Sequence, residues 1–266
     1  MSEDPAKPDL LPESLPVTTI PSELITLAID IGGTGLKAGL LDAAGQLVGE
    51  RARVETPRPS TPDAVVPHLV ALGKKLPGFD RVSVGFPGVV QKGVVKTAPN
   101  LGTAAWASFN LAAILETHLD RPVRMLNDAT VQGLGVIAGD GLECVITLGT
   151  GFGFALYLDG QLAPHLEMSQ HVIRHGETYD EYLGVAALKR VGKRRWRKRV
   201  ERAMEQLRVV INFDTLYVGG GDARLIDFTL PSNVQIVSND AGITGGVKLW
   251  SPALDGAFKP LPSALA

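Results

Sequence analysis

Two units of strand, glycine turn and strand constrain this chain more than any other feature. The first is LITLAIDIGGTGLKAGLLD at residues 24–42, and the second is LECVITLGTGFGFALYLDG at residues 142–160. In both units, apolar runs of strand length flank a cluster of glycines. A dinucleotide fold needs a glycine turn that opens a helix, and a Walker loop needs Gly-Lys-Ser/Thr, so neither pattern fits.

Glycine turns of this kind can point several backbone N–H groups at one anion, because no Cβ blocks close approach. Thr34 and Thr150 add a hydroxyl donor to each turn, and a third cluster, Gly219–Gly221, follows another strand, DTLYV. Two tight hairpins without a ligand are the alternative. The recurrence of the device in both halves favours a phosphate chain bound from both sides of a cleft.

The remaining elements read as an alternation of strands and helices. Residues 24–55 predict an antiparallel meander, TPDAVVPHLVALGKKL predicts a helix that Pro67 can kink, and VRMLND predicts a strand before a helix that opens at Asp128. VQIVSND predicts another strand, and AGITGGVKLW predicts a closing helix. A long helix is expected over much of Tyr179–Ile211, with a core face formed by Trp196, Val200, Ala203, Leu207, Val210 and Ile211.

With 266 residues, 45% of them hydrophobic, the chain can build two modest domains or one large one. We expect a flexible tail at 1–23, which is rich in proline and acidic residues. A small α/β domain at 24–127, a large α/β domain at 128–240, and a closing helix and tail at 241–266 complete the predicted organisation.

Charge and cysteine content exclude several classes of protein. The net charge of −2 argues against general nucleic-acid binding. The single cysteine, Cys144, lies in an apolar run and is expected in the core, so neither a disulfide nor a cysteine-based zinc site can form within the chain. The N-terminus lacks a signal-peptide pattern, and no apolar run reaches about 18 residues. These features predict a soluble, cytoplasmic protein.

The three glycine motifs, DIGGTGLKAGLLD, LGTGFG and YVGGG, resemble the two phosphate motifs and the adenosine motif of ROK family sugar kinases. The resemblance runs from about residue 24 to residue 250. The segments DEYLGVAALKRVGKRRWRKRV and DTLYVGGGDARLI resemble the polyphosphate glucokinase branch in particular. The resemblance implies an actin/hexokinase-like α/β fold of two domains around a cleft. It implies that a hexose, with glucose expected, is phosphorylated there by polyphosphate or ATP with Mg²⁺. It also suggests a homodimer.

Asp128 is the candidate catalytic residue. It ends a strand and begins a helix, a position that commonly faces a ligand crevice in α/β sheets. A carboxylate there can accept the proton of a sugar hydroxyl as that oxygen attacks phosphorus. A helix N-cap is the alternative role, for which aspartate is equally suited. Likeness to the Asn-Asp pair of the ROK family favours the catalytic role.

The other candidates divide between the sugar and the phosphoryl donor. Asn100 and Asn127 offer the donors and acceptors that sugar hydroxyls need, although Asn100 can equally serve a turn. The resemblance implies that Asp30 acts on magnesium through water and that Lys37 neutralises phosphate; a turn-forming aspartate and a solvated lysine are the alternatives. The candidate sugar-binding residues are Asn100, Asn127, Glu167, Gln170 and His171. The candidate donor-binding residues are Asp30, Gly32, Gly33, Thr34, Lys37, Gly149, Thr150, Gly151, Gly219, Gly220 and Gly221.

Two departures from the family pattern concern the sugar end and zinc. Where the family has Glu-x-Gly-His, this chain reads Glu167-Met168-Ser169-Gln170-His171, so Gln170 replaces the sugar-contacting histidine or His171 takes its place by a shift. The cysteine-rich zinc motif is absent, so no zinc is expected. Asp222 stands where an asparagine often follows the third glycine cluster.

A basic run lies within the predicted long helix. Between Lys189 and Arg202 there are nine Lys or Arg and one acidic residue, Glu201. A solvated helix face is the usual meaning of such a run. Contact with polyphosphate, a dense polyanion, is the functional alternative, and nucleic acid is less favoured.

A non-catalytic sugar sensor or regulator is the competing function. ROK repressors carry an N-terminal helix-turn-helix, and residues 1–23 are too short and too rich in proline to supply one. The altered segment from Glu167 to His171 is the feature that favours lost catalysis.

Overall fold

Two five-stranded mixed sheets organise the computed structural model, which describes residues 24–238 and 241–258. The strand orders are β3-β2-β1-β4-β7 in the first sheet and β10-β9-β8-β13-β14 in the second, and β5-β6 and β11-β12 form small hairpins. The strands are β1 Thr26–Ile31, β2 Gly35–Leu41, β3 Leu47–Glu55, β4 Arg81–Phe86, β5 Val90–Gln91, β6 Val94–Val95, β7 Val123–Asn127, β8 Leu142–Leu148, β9 Phe152–Leu158, β10 Gln161–Leu162, β11 Val172–Arg174, β12 Glu177–Thr178, β13 Thr215–Gly219 and β14 Val234–Ile236.

The helices occur between and after these strands. Helix α1 contains Pro67 without ending there, and Thr61 precedes its first turn. The helices are α1 Pro62–Lys75, α2 Thr103–Trp106, α3 Leu111–Leu119, α4 Asp128–Leu134, α5 Tyr179–Leu183, α6 Val185–Ile211, α7 Ala241–Thr244 and α8 Asp255–Phe258. No helix of the described residues is both long enough and apolar enough to cross a membrane.

Both sheets repeat one plan, as the sequence predicts. Strands β1, β2 and β3 form an antiparallel meander, and β4 and β7 continue the sheet in parallel with β1. In the second sheet β8, β9 and β10 are antiparallel, while β13 and β14 run parallel to β8. Each glycine turn therefore joins the first two strands of its sheet, and the carboxyl ends of the parallel strands lie at the same edge.

Alternation along β1 divides the core of the first sheet between its two faces. Leu27 and Ile29 pack with α1 and α3, whereas Ala28 packs with Ile243 on the opposite face. In β8, Cys144 faces α5 and α6, as the apolar run predicts, and Val145 faces α4. Helix α4 also contacts β4 and β7 of the first sheet, so it packs against both sheets.

The segment that follows α7 returns to the first sheet. The Ser83 hydroxyl on β4 donates to the carbonyl of Gly246 at 2.7 Å, and the Trp250 indole donates to the same hydroxyl oxygen at 2.9 Å. The Arg124 guanidinium on β7 donates to the Leu249 carbonyl at 2.8 Å and lies 4.6 Å from the Trp250 ring centroid. The predicted closing helix is therefore wrong in form, since α7 has one turn and a 3-10 helix, Gly245–Trp250, follows it.

The predicted single helix over Tyr179–Ile211 is interrupted twice. Gly184 adopts an extended backbone between α5 and α6, and Gly192 within α6 has φ 75°, a left-handed conformation that favours glycine. Trp196 is fully buried, as predicted, with its indole donating to the Leu183 carbonyl at 2.7 Å. Val210 is 70% exposed, so its predicted core position is wrong; Ile211, the next residue, still packs against the core, so Val210 lies on the face of α6 that points away from it.

Some predictions fall outside the described residues. The expected tail at 1–23 and the last residues of the chain, 259–266, lie there, as does the end of the VQIVSND strand at residues 239–240. Within the described part, the strand itself is shorter than predicted, at Val234–Ile236.

Candidate functional site

The two glycine turns face each other across a cleft of about 540 Å³ between the sheets. A Cβ added to Gly33 on the first turn would lie 3.1 Å from Cγ2 of Thr150 on the second turn and 3.5 Å from Cβ of Asn100. The lack of side chains at these glycines lets the turns approach this closely. The predicted residues that line the cleft are Asp30, Gly32, Gly33, Thr34, Lys37, Asn100, Asn127, Asp128, Gly149, Thr150, Gly151, Glu167, Gly220 and Gly221.

The first turn is held by groups that follow β3. The Gly32 N–H donates to the Gly35 carbonyl at 3.0 Å, so it is used within the turn. The Thr56 hydroxyl donates to the Gly32 carbonyl at 2.6 Å, and the Arg58 guanidinium donates to the Gly33 carbonyl at 2.7 Å. These bonds fix the turn before any ligand arrives.

The second turn is held by the start of α5. The Gly149 N–H donates to the Gly151 carbonyl at 3.1 Å, and the Phe152 N–H donates to Oδ1 of Asp180 at 2.5 Å. Burial raises the pKa of Asp180 to about 6, and the nearby Glu167 charge adds to that rise against the lowering effect of the Phe152 hydrogen bond. Asp180 thus ties the second glycine turn to α5.

The third glycine cluster contributes only part of its length to the cleft. Gly220, with φ 85°, and Gly221 line the cleft, whereas Gly219 is the buried last residue of β13 and does not. A side chain at Gly219 would collide with the amide of Gln132 on α4, so this glycine serves packing. Arg224, three residues beyond Gly221, also lines the cleft.

Asp128 occupies the start of α4, where β7 reaches the cleft. Asn127 is the N-cap of this helix, because its Oδ1 accepts from the Thr130 N–H at 3.2 Å. Asp128 Oδ1 accepts from its neighbour, the Ala129 N–H, at 2.8 Å. The capping role that sequence alone allowed for Asp128 therefore belongs to Asn127, whose Nδ2 also donates to the Gly88 carbonyl at 3.2 Å.

The environment of Asp128 makes its carboxyl group a proton acceptor near neutral pH. Burial, together with the negative charges of Asp30 and Glu167, raises its pKa to about 7 against the lowering effect of the Ala129 hydrogen bond. Such a pKa allows efficient proton transfer at physiological pH.

Asp30 and Lys37 form an ion pair at the end of the first β-hairpin. Lys37 Nζ lies 2.9 Å from Oδ2 of Asp30, and the two residues are paired across β1 and β2. Both line the cleft beside the first turn, so neither is a freely solvated charge. The pair brings one carboxylate and one ammonium group to the phosphate end.

The sugar end of the cleft differs from its prediction. Glu167 lines the cleft, but Gln170 and His171 are exposed and do not. A 3-10 helix, Met168–Gln170, turns Ser169 inward instead, and the His171 ring lies 6.4 Å from the Tyr179 ring. The structure therefore brings neither Gln170 nor His171 to the predicted position.

Several residues on the cleft were not predicted from the sequence. Ser169 is 4% exposed, and its hydroxyl donates to Oε1 of Glu167 at 2.5 Å. His165, Asp180 and Arg53 also line the cleft. Ser169 and His165 could have been predicted, because each is a polar residue two positions from the predicted site residue Glu167. Asp180 gave no such signal, since its place depends on how α5 meets the second turn.

The arrangement can bind a polyanion and accept a proton beside it. The glycine turns, Lys37 and Asp128 line one cleft. Asn100, which lies beside both turns, and Glu167 add hydrogen-bonding groups to it. No three His, Cys, Asp or Glu side chains converge as a metal site within residues 24–238 and 241–258.

Comparison with known proteins agrees with this geometry. The family model described as ROK family matches residues 26–165. The polyphosphate glucokinase of Mycobacterium leprae (strain TN) is 33% identical over 235 residues, which cover 82% of this chain and 72% of that protein.

Solved structures are similar over most of the described chain. The inorganic polyphosphate/ATP-glucomannokinase from Arthrobacter sp. strain KM has a TM-score of 0.77 at 33% identity, covering 85% of this chain and 97% of that one. A ROK family glucokinase from Streptomyces griseus, in complex with glucose and AMPPNP, has a TM-score of 0.67 at 21% identity, covering 85% and 98%. The second likeness concerns the fold alone. Together with the facing glycine turns, these matches show that the chain belongs to the ROK family and is a phosphotransferase of the actin/hexokinase-like fold, related to the family's sugar kinases.

Proposed function

We propose that this protein is a hexose kinase that transfers a phosphoryl group from polyphosphate, ATP or both to a sugar hydroxyl, with glucose as the first candidate. The observation that carries the proposal is the position of Asp128, a carboxylate with a pKa of about 7 that lies in the cleft shared by both glycine turns. The sugar and the donors are those in the names of the polyphosphate glucokinase and glucomannokinase relatives.

In this proposal Asp128 is the general base. Its carboxylate accepts the proton of the sugar hydroxyl while that oxygen forms a bond to the terminal phosphorus of the donor. The bond from that phosphorus to the bridging oxygen breaks, and the shortened donor leaves with the electron pair. Phosphoryl transfer needs mainly positioning and charge neutralisation, which the glycine turns and Lys37 supply.

Sugar hydroxyls would bind beside Asp128. Asn100 lies next to both turns, and Glu167 lines the cleft close enough to Asp128 to affect its charge, so both offer hydrogen-bonding groups there. Asn127 is largely used in capping α4 and in its bond to Gly88, which leaves it a secondary contact.

The residues at the phosphate end fit a magnesium ion bound through water. One oxygen of Asp30 pairs with Lys37, which leaves the other for a hydrated cation, and Mg²⁺ in phosphoryl-transfer enzymes characteristically keeps several waters beside one or two carboxylates. When bound, Mg²⁺ would neutralise charge on the donor phosphates. Asp30 would hold it there, and Lys37 would face the phosphates directly.

Two features bear on the donor. The basic face of α6 is formed by the Lys and Arg side chains between Lys189 and Arg202. Within the described chain most of them form no ion pair, although Arg190 and Arg199 pair with Glu177 and Arg197 pairs with Asp227. Arg197 also donates to the Leu225 carbonyl at 2.6 Å, next to the cleft residue Arg224, so this face adjoins the donor end. A long polyanion would gain from that charge.

A depression of about 410 Å³ continues from the cleft past Gly220 and Gly221, and Ile236 and Val237 give it apolar surface. The depression has room for the base and ribose of ATP. The two features together support the use of both donors, and neither excludes the other.

We further propose the domain division of the sequence analysis, with the small domain at 24–127 and the large domain at 128–240. Location in the cytoplasm and a homodimer remain predictions. Size-exclusion chromatography with light scattering would test the dimer.

The decisive experiment is a panel of hexoses assayed against polyphosphate and against ATP, with Mg²⁺, reading the phosphorylated sugar. We expect activity with glucose and its loss in Asp128→Asn, while Asp140→Asn, which changes an exposed loop residue, keeps it. An active Asp128→Asn variant would remove the mechanism. Sugar binding by calorimetry without turnover on any donor would instead support a non-catalytic sugar sensor.

A further inference from the structure

The sugar end contains a chain of side-chain hydrogen bonds that leads from the surface to Glu167. Gln170 Nε2 donates to Oγ of Ser169 at 3.0 Å, and the Ser169 hydroxyl donates to Oε1 of Glu167 at 2.5 Å. The amide N–H of Gln170 fills an acceptor position of the serine oxygen and leaves its proton to Glu167. The chain therefore has one direction, from Gln170 to the carboxylate.

A second group approaches the other oxygen of the same carboxylate. His165 Nε2 lies 3.5 Å from Oε2 of Glu167, and His165, Glu167 and Ser169 all line the cleft. Burial on its own would raise the pKa of Glu167, but the hydrogen bonds from His165 and Ser169 outweigh it and lower the pKa below its ordinary value. Glu167 is thus ionised at neutral pH, with one oxygen fixed by serine and the other more loosely engaged.

We propose that Ser169 is a positioning residue of the sugar site: it orients the Glu167 carboxylate to accept a hydrogen bond from a sugar hydroxyl, and Gln170 acts on the sugar only through Ser169. The proposal rests on the proposed function, because it takes the ligand of the cleft to be a sugar. It gives the departure from Glu-x-Gly-His a physical meaning, since serine holds the carboxylate at a site where Gln170 and His171 are exposed and do not line the cleft.

The backbone of this segment does not need the serine hydroxyl. The 3-10 helix is held by its own main chain, with the Gln170 N–H donating to the Glu167 carbonyl at 3.2 Å and the His171 N–H donating to the Met168 carbonyl at 3.1 Å. Both hydrogen bonds of the Ser169 side chain go to other side chains. Removal of the hydroxyl should therefore change the orientation of Glu167 and leave the turn in place.

The test is a double-mutant cycle read by glucose calorimetry and by steady-state kinetics. We expect Ser169→Ala to raise the glucose Kd and KM about tenfold, because one hydrogen bond to a charged group is lost. The kcat should stay within about threefold of the wild-type value. In a Glu167→Gln background, Ser169→Ala should add less than about twofold, because its effect passes through the carboxylate. Ser232→Ala, at an exposed serine, is the matched control.

A pH series adds a readout that a purely structural serine would not change. Without the hydroxyl, the pKa of Glu167 rises, so the pH below which glucose binding weakens should move upward in Ser169→Ala. Gln170→Ala, a surface change with little risk to folding, should weaken binding by about threefold and should have no further effect in a Ser169→Ala background.

Three outcomes would overturn the proposal. The first is an unchanged glucose Kd in Ser169→Ala. The second is an equal loss of glucose affinity from Ser169→Ala with and without Glu167→Gln. Both would leave a working kinase in place. A larger effect from Gln170→Ala than from Ser169→Ala would show direct contact of Gln170 with the sugar. Absence of any hexose binding or turnover by the wild-type protein would instead refute the proposed function, and this inference with it.

Discussion

Replacement of Asp128 by asparagine should make the protein more stable while it removes the activity. The carboxyl group has an ordinary pKa of 3.8 and a pKa of about 7 in the folded chain, chiefly because it is buried. Because the folded protein holds this proton more tightly than the unfolded chain does, the contribution of Asp128 to stability is greatest below about pH 4 and is lost as the pH rises to about 7. Asparagine has no charge to desolvate, so it avoids that loss.

The magnitude follows from the rise in pKa. The pKa of Asp128 rises from 3.8 to about 7, and each unit corresponds to about 1.4 kcal/mol. The ionised carboxylate therefore lowers the free energy of unfolding by at most about 4 kcal/mol. Water in the open cleft screens part of this cost, so we expect the free energy of unfolding of Asp128→Asn, relative to wild type, to grow by about 2 kcal/mol between pH 5 and pH 8. The amide oxygen can still accept from the Ala129 N–H.

Urea denaturation of both proteins at several pH values measures this difference, and Asp140→Asn serves as the exposed control. Asp180, whose pKa is also raised, is present in both proteins and cancels. Activity should fall by about 10²- to 10⁴-fold, the usual contribution of a general base. A difference in stability that stays constant or shrinks from pH 5 to pH 8 would refute the argument from burial.

Three further changes test other parts of the site. Lys198→Glu, on the basic face of α6, should lower kcat/KM for polyphosphate several-fold at low salt and leave kcat/KM for ATP unchanged. An equal effect from Lys74→Glu, on α1, would contradict a polyphosphate-binding patch on α6. Asp180→Ala should raise the KM for the donor about tenfold by freeing the second glycine turn, and an unchanged donor KM would show that the turn holds without it. Gly153→Ala should cost about 1–3 kcal/mol in urea denaturation, because its Cβ would lie 2.8 Å from that of Ala129, and a neutral result would mean that α4 can shift.

The parts of the site that the sequence predicts depend on local signals. Glycine clusters between apolar runs predict turns wherever they occur, so the facing turns could be expected before the fold was seen. The position of Asp128 between a strand and a helix leaves a catalytic role and an N-cap role open, and its likeness to the Asn-Asp pair of the ROK family favours the catalytic role. Its raised pKa could not be predicted, since it depends on burial and on Asp30 and Glu167 across the cleft.

The parts that the sequence did not predict depend on packing between distant segments. Ser169, and not Gln170, lines the cleft because the segment folds into a 3-10 helix, Met168–Gln170, which no pattern in its sequence predicts. Gly192 breaks the regular backbone of α6, but the helical spacing of apolar residues continues on both sides, so the pattern did not reveal it. Asp180 reached the site because α5 begins against the second turn.

The return of residues 245–250 to the first sheet has a consequence for synthesis on the ribosome. The hydrogen bond between Ser83 and Gly246 joins residues 163 positions apart, and Trp250 and Leu249 bind the same sheet. Strands β1, β4 and β7 are translated long before the segment that covers one of their faces. The part of that face around Ala28 and Ser83 stays open to other chains until residues 243–250 have left the ribosome, so nascent chains should need protection there for longer than at the second sheet.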